Sequence, residues 1–459
     1  LKFPQMAKFE LTRELIDFIR ELIEQNNVAQ LTEILLELHP ADIAEIYEEL
    51  SVDEAKFLYF LLDDDTAAEV LINLEEDDRQ NFLKSLPSEE IARRFIDNLD
   101  TDDAADIISE MDEERQKEVL SFIDDTEVAD DIADLLSYEE DTAGSLMAKE
   151  LIKVRESWNI ITCLRSMRRQ VEEVDEVYFV YVVDDKDILK GTISLKRMLL
   201  ASSENRVREL YNPDVISVNA NTHSEEVANI MGKYDLVVLP VVDDNGKLLG
   251  RITIDDVVDY IREEAEKDYQ LASGITGDVE ISDSVWRHTR VRVPWLMIGM
   301  MGGLLGSRVI SAFEGNIARF PEVAFFMPLI GAMGGNVGIQ SSAIIVQSIA
   351  SGNLGFETNW RKLGKEVSIA LLNASALSVI AFIYNMIVGS SYALTFTVTS
   401  AMFSVVLFAS LLGTFLPLLL NKFKVDPAVA TGPFITTLND IVGMFLYLIL
   451  SVYFFNLFM

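Results

Sequence analysis

One cysteine, Cys163, is all that this 459-residue chain contains, so no intrachain disulfide can form and a disulfide-stapled scaffold is excluded. Histidine is nearly as scarce: His39, His223 and His288 lack the spacing of a zinc site and are expected to be structural or surface residues. Positive charge is short as well, with 38 Lys and Arg against 75 Asp and Glu, a net of −37. Phosphate is repelled by so negative a surface, which argues against nucleic acid as a partner and makes cations the natural counter-ligand. An enzyme is not expected, because the sequence carries no phosphate-binding loop and no nucleophile–base pair. No secretory leader is expected either: Leu1 to Gln30 is amphipathic and charged, without an apolar core.

The last third lacks charge of either sign. From Trp286 onward there are 6 acidic and 10 basic residues, whereas the preceding part holds 69 acids against 28 bases, a net of −41. Five apolar stretches are long enough to cross a hydrocarbon core of about 30 Å at about 1.5 Å per residue: Pro294 to Phe313, Val323 to Ala350, Val367 to Val388, Ala393 to Leu420 and Val429 to Phe455. Basic residues cluster at Arg287, Arg290 and Arg292, at Arg361, Lys362 and Lys365, and at Lys422 and Lys424. The positive-inside rule puts all three clusters, and with them the acidic N-terminal part, on the cytoplasmic side and Met459 outside.

Upstream the sequence repeats twice. Ala44, Ala68 and Ala92 are 24 residues apart, as are Ala105 and Ala129, and apolar residues recur at three- and four-residue spacing between acidic turns. Short helices stacked as a superhelix are expected, with the acid runs at 63–65, 75–78 and 102–103 capping helix starts. A second repeat has an offset of 59: Val183-Asp184-Asp185 matches Val242-Asp243-Asp244, Gly191 matches Gly250, and Ile193-Ser194 matches Ile252-Thr253. Each half reads strand, acidic turn, glycine, strand and helix, an α/β module present twice, and these halves resemble tandem CBS domains. In CBS domains Ser/Thr-x-x-Asp holds a nucleotide ribose. Thr253 and Asp256 match it, whereas Ser194 is followed by Arg197 where Asp would sit, so ATP finds its ligands only in the second half. The architecture expected is mainly α, in four parts: 1–140 helical repeats, 141–262 tandem CBS domains, 263–290 an acidic connector and 291–459 five membrane helices.

Inside the spans the polar residues are few. Asp440 lies 13 residues beyond Pro427, about 20 Å of helix rise, and an isolated carboxylate at that depth costs several kcal/mol unless it faces water or a cation. Thr436 precedes it by one turn, with Asn439 beside it. A protonated Asp440 bonded to a neighbouring helix, or paired with Arg308, would be the structural alternatives. The second span contributes Gly334-Gly335-Asn336-Val337-Gly338-Ile339-Gln340, expected to be an irregular, polar interruption lining a wet cavity rather than simple close packing. Pro433 is expected to disrupt the fifth span near its start. Carboxylate, amide and carbonyl oxygens without thiolate or imidazole select a hard cation, and magnesium, which parts reluctantly with water, suits a pore with few carboxylates. Five spans make a small bundle, which suggests a pore on a two-fold axis between paired Asp440 residues.

At these residues the sequence resembles the MgtE family of magnesium channels over essentially its whole length. The phrases that carry the resemblance are Pro328 with the glycine-rich run 334–340, Gly413-Thr414-Phe415-Leu416-Pro417, Asp426-Pro427-Ala428-Val429-Ala430, Gly432-Pro433-Phe434 and Thr436 to Gly443. The resemblance implies a homodimer with Asp440 as central pore carboxylate, Asn336 near it and Asp426 at the cytoplasmic mouth. It also implies an acidic plug helix, about Asp259 to Ile281, that closes the pore when cytoplasmic Mg2+ is abundant. The family's sensing acids map onto Glu225, Asp235, Asp256, Asp259, Glu264 and Asp268, together with Asp102 or Asp103. His223 and Lys267 stand where acids are expected, and Lys196-Arg197 departs from the family's nucleotide pattern. The function implied is Mg2+ uptake through a channel closed by cytoplasmic Mg2+; a proton- or sodium-coupled divalent cation transporter, with Asp440 as carrier, is the alternative.

Overall fold

The computed structural model describes residues 11–171, 177–275, 277, 279, 284–350, 359–430 and 432–458. The chain divides into two compact units, Leu1–Tyr260 and Ile261–Met459.

The first unit opens with short helices whose apolar faces share one core. Several pack on the helix two places further along: Pro40–Glu48 on Asp64–Ile72, Ser88–Arg94 on Glu113–Phe122, and Thr101–Ser109 on Thr126–Leu135. The repeated alanines explain the spacing. Ala44, Ala68, Ala92 and Ala105 are buried where neighbouring helices meet, and a larger side chain would push them apart. Acids mark the helix starts as expected: Asp63 accepts from the Thr66 N–H, and Ser51 and Glu54 form a reciprocal capping box. Arg79 pairs with Glu110, a half-buried bridge between two of the repeats.

Two three-stranded sheets follow, β1 (Ile152–Arg155), β2 (Val180–Val183) and β3 (Leu189–Ile193), then β4 (Val218–Asn219), β5 (Val238–Val242) and β6 (Leu248–Thr253). In both, the first pair is parallel and the second antiparallel. The 59-residue repeat holds at atomic detail. The register slips between Val182 and Val183 and, identically, between Val241 and Val242. Asp184 and Asp243 each accept two backbone N–H groups of their own turn. The halves meet about a local two-fold axis: Leu189 N–H donates to Gly246 O at 2.9 Å, and Leu248 N–H donates to Asp187 O at 3.0 Å.

β6 runs directly into a 19-residue helix, Ile254–Ala272. The helix expected to act as a plug from about Asp259 therefore begins five residues earlier, at Ile254, inside the second CBS half. Its expected far end, Ile281, lies outside the described residues.

The second unit has five helices long and apolar enough to cross a membrane among the described residues. They are Val285–Ala312, Met327–Ala350 (after a 3-10 turn from Pro321), Asn359–Val388, Tyr392–Lys422 and Pro433–Phe458, here the first to fifth membrane helices. The fourth packs against the second, third and fifth; the fifth also packs against the first and second. Small residues allow these approaches. Several hydroxyls in the spans return their hydrogen bonds to their own helix, as Thr397 does to Ala393 O and Thr414 to Ser410 O, while Ser341 and Ser410 bond across two spans at 3.0 Å. Tyr447 donates to Val323 O at 2.7 Å and Asn316 to Ser451 Oγ at 2.8 Å, which ties the fifth helix to the connection between the first two.

Two expectations are corrected here. The glycine-rich run 334–340 is not irregular backbone but part of one continuous helix. Its glycines serve close packing: a Cβ on Gly338 would lie 2.0 Å from Asn439 Nδ2, and one on Gly413 would lie 2.5 Å from Gly338 O. Pro433 does not disrupt the fifth helix. It is the helix's first residue, where the missing N–H costs nothing.

Candidate functional site

Asp440, Thr436 and Asn336 line one open groove of about 610 Å³ between the first, second and fifth membrane helices. The helical period brings the first two together, since Thr436 stands one turn before Asp440 on the fifth helix. Opposite them the second helix presents Gly331 and Gly335, and Cβ atoms there would lie 3.7 and 3.9 Å from the Asp440 carboxylate. The wall beside the carboxylate is thus bare backbone. Asp440 and Asn336 are both exposed to the groove, while Asn439, next in sequence, turns the other way and is buried against the second helix. Thr436 donates its hydroxyl to Pro433 O at 3.0 Å, so what it can offer to a guest is oxygen lone pairs.

This arrangement is chemically narrow. One carboxylate, one amide and one hydroxyl are hard oxygen donors, too few to strip a small divalent ion but suited to hydrogen-bonding its water shell. Six waters at about 30 Å³ each fill about 180 Å³, well within the groove. Asp426 lies elsewhere: it is exposed and accepts the Ala428 N–H at 2.7 Å at the turn that precedes the fifth helix. The end of the acidic helix meets that same region. A Cβ on Gly274 would lie 2.6 Å from the Pro433 ring, and one on Gly432 would lie 2.4 Å from Ala272 O.

A second concentration of carboxylates occupies the first unit, where the helix Thr101–Ser109 meets Glu150 and the start of the helix Ile254–Ala272. Ligand oxygens of Asp100, Asp102 and Glu150 all fall within 4.8 Å of one another. Thr101 donates both its N–H and its hydroxyl to Glu150, at 3.1 and 2.9 Å. Burial pushes the Asp102 carboxyl well above its usual range, helped by repulsion from Asp256, Asp103, Asp100 and Glu150. Burial and repulsion from Asp256 push Asp103 up to about 7. Asp256 is raised to about 6, chiefly by burial, against the hydrogen bonds it accepts from Thr253. Glu150 is raised for the same first cause, burial, and by Asp100. Negative charge is here held together against its own repulsion, which a divalent cation would relieve.

Of the acids expected to sense Mg2+, Asp102, Asp103 and Asp256 converge in this cluster. Glu225, Asp235 and Asp259 are exposed, and Glu264 and Asp268 are half-buried along the helix Ile254–Ala272. Thr253 and Asp256 are together too, but the Thr253 hydroxyl and N–H both donate to the Asp256 carboxylate, closing the helix start. Asp100 and Glu150 were not foreseen. Asp100 was visible as the head of an Asp-Thr-Asp-Asp run, whereas Glu150 follows a loop with no periodicity and carries no sequence signal.

Comparison with known proteins gives three family matches. The MgtE domain, described as a divalent cation transporter, matches residues 327–450; the MgtE intracellular N domain matches 38–141; the CBS domain matches 143–204 and 207–263. The chain is 34% identical over 446 residues to the magnesium transporter MgtE of Thermus thermophilus, covering 94% of this chain and 96% of that one. It is 33% identical to the magnesium transporter MgtE of Enterococcus faecalis over 429 residues, 93% of this chain and 94% of that one. Among solved structures, the cytosolic domain of the Mg2+ channel MgtE in complex with ATP aligns at 35% identity and a TM-score of 0.49, over 53% of this chain and 99% of that one.

Proposed function

The chain belongs to the MgtE family of magnesium transporters, a multi-pass membrane protein with CBS domains and not an enzyme, and from that premise we propose that it is a Mg2+ channel whose pore passes Asp440 and whose opening is governed by its acidic first unit. The observation that carries the proposal is the groove in which Asp440 and Thr436 face the glycines of the second helix, with Asn336 of that helix lining the same groove. The ion is the cargo. It passes with much of its water, the carboxylate supplying charge and Thr436 and Asn336 supplying hydrogen-bonding oxygens. The groove is open on one side, and a second copy related by a two-fold axis would close it and face a second Asp440 toward the first. The positive-inside rule puts the acidic unit in the cytoplasm and Met459 outside, and the family resemblance puts Asp426 at the cytoplasmic mouth.

Regulation follows from charge. The clustered carboxylates repel one another, and Mg2+ between them favours the compact arrangement by its differential affinity for the two states. Asp102, Asp103, Asp256, Asp100 and Glu150 would hold it at the cluster, with Glu225, Asp235, Asp259, Glu264 and Asp268 as further weak sites. The helix Ile254–Ala272 links that event to the pore, because its end touches Gly432 and Pro433, one turn before Thr436. The test is Mg2+ uptake into liposomes by wild type and Asp440→Ala. Uptake falls to the level of empty liposomes in the variant; undiminished uptake overturns the proposal. Current that reverses at the Mg2+ equilibrium potential whatever the pH or sodium gradient distinguishes a channel from a coupled transporter.

A further inference from the structure

A buried positive charge sits against the acidic cluster. Arg251 is on β6, its side chain only 7% exposed, and its Nη2 lies 3.2 Å from Asp100 Oδ2. Its guanidinium carbon is 5.8 Å from the centre of the Tyr178 ring, and its stem lines a small apolar cavity with Leu151, Tyr181 and Val238. Its backbone is held as firmly, exchanging two hydrogen bonds with Ala148, at 2.8 and 2.9 Å, two residues before Glu150. The 59-residue repeat shows that this charge belongs to one half of the pair and not to the other. The equivalent position in the first half is Thr192, which is neutral, and among the described residues no carboxylate cluster of this kind lies in that half.

We propose that Arg251 is a fixed internal cation, which ties the helical repeats to the second CBS half through Asp100 before any metal arrives and thereby lowers the amount of divalent cation that the interface requires. A guanidinium cannot deprotonate inside a protein, so the charge is present at every physiological pH. Buried in apolar surroundings, it depends on a carboxylate partner more than a surface arginine would. Asp100 belongs to the group that also includes Asp102 and Glu150, so each unit of charge Arg251 neutralises is one that Mg2+ need not. Wild type then retains part of the closed interface in the absence of metal, and Mg2+ completes it. The proposal rests on the reading of the cluster as a Mg2+ sensor for its second half only; the tie itself is independent of metal.

The experiment uses the full chain in lipid nanodiscs and follows amide hydrogen exchange over Thr101–Ser109, in EDTA and in millimolar Mg2+. Arg251→Met keeps the apolar stem and removes the charge. In EDTA it raises exchange in that helix about tenfold over wild type, while Arg251→Lys gives a smaller rise. Asp100→Asn removes the same contact but also relieves repulsion on Asp102 and Glu150, so its rise is smaller than that of Arg251→Met, and the double variant gives less than the sum of the two because they share that contact. Equal exchange in wild type and Arg251→Met in EDTA overturns the proposal. Should Arg251→Met lose its cooperative thermal transition, Arg251→Gln, which keeps a polar side chain without the charge, decides the question against wild type, an unchanged rate again overturning it. Mg2+ restores protection to Arg251→Met if the cluster senses the ion; if Mg2+ protects neither protein, the sensor reading fails while the metal-free difference still upholds the tie.

Discussion

The membrane unit and the acidic unit handle carboxylates in opposite ways. In the membrane one acid, Asp440, stands alone among the residues of its groove, with bare glycine backbone facing it. In the first unit five acids from three distant stretches of chain crowd into one interface, and four of them, Asp102, Asp103, Glu150 and Asp256, are pushed above their ordinary titration range by burial and by neighbouring acids. A solitary carboxylate binds a passing hydrated ion weakly enough to release it, which conduction requires. A crowd of them stays in place only when protonated, paired with Arg251 or bridged by divalent metal, which suits a sensor. Under the proposed function the same functional group serves passage in one region and switching in the other, and the difference is made by number and by solvent.

That contrast can be broken by moving the charge. Asp440→Ala is expected to have the largest effect, abolishing Mg2+ uptake, while the triple neutralisation Asp256→Asn, Glu264→Gln and Asp268→Asn leaves uptake and removes its inhibition by millimolar Mg2+. If the triple variant is still inhibited normally, switching does not reside in these acids. Next in size, Gly302→Val forces a side chain onto Thr437, whose Cγ2 lies 1.8 Å from the position of a Cβ, and should detach the first membrane helix from the fifth. Overpacking of this kind costs about 1–3 kcal/mol or more, whereas Gly315→Ala, with nothing near it, should change little. Thermal unfolding followed by Trp fluorescence compares the two.

A smaller effect concerns pH. The carboxyls of Asp103 and Asp256 are pushed up to about 7 and about 6, above the ordinary aspartate value of about 3.9, so each binds its proton more tightly folded than unfolded. The stability they lend is complete below about pH 4 and is lost as pH rises through about 6 to 7. In EDTA the melting temperature of the first unit's transition should therefore fall by several degrees from pH 5 to about 7.5, and saturating Mg2+ should flatten that slope. A slope that Mg2+ leaves untouched would separate the titration from metal binding. The smallest effect expected is Ser51→Ala, which removes a capping box far from both carboxylate sites and costs about 1 kcal/mol without altering uptake or its Mg2+ dependence.

Much of this was legible in the residues. Helix periodicity and the scarcity of charge after Trp286 led to five membrane spans, and the structure has helices over all five. The offset of 59 predicted two like modules, and even the slip of register recurs at that offset. Asp440, Thr436 and Asn336 were recognisable because polar residues in an apolar run have few reasons to be there. Gly334 to Gly338 misled, because glycine in a span reads equally well as broken backbone or as room for a neighbour, and only the position of Asn439 distinguishes the two. Pro433 misled for a related reason: whether it interrupts a helix or begins one depends on where the preceding turn ends.

Composition and periodicity by themselves determined which segments are helical, which lie in lipid, and that a cation is the partner, since each of these follows from local pattern or total charge. Tertiary structure alone decided which acids meet. Asp100 to Asp103, Glu150 and Asp256 are separated by 47 to 156 residues between their extremes, and Arg251 reaches Asp100 across 151 positions. No local rule specifies such a meeting, because the energy of a charge depends on what surrounds it in space and the order of the chain does not record that.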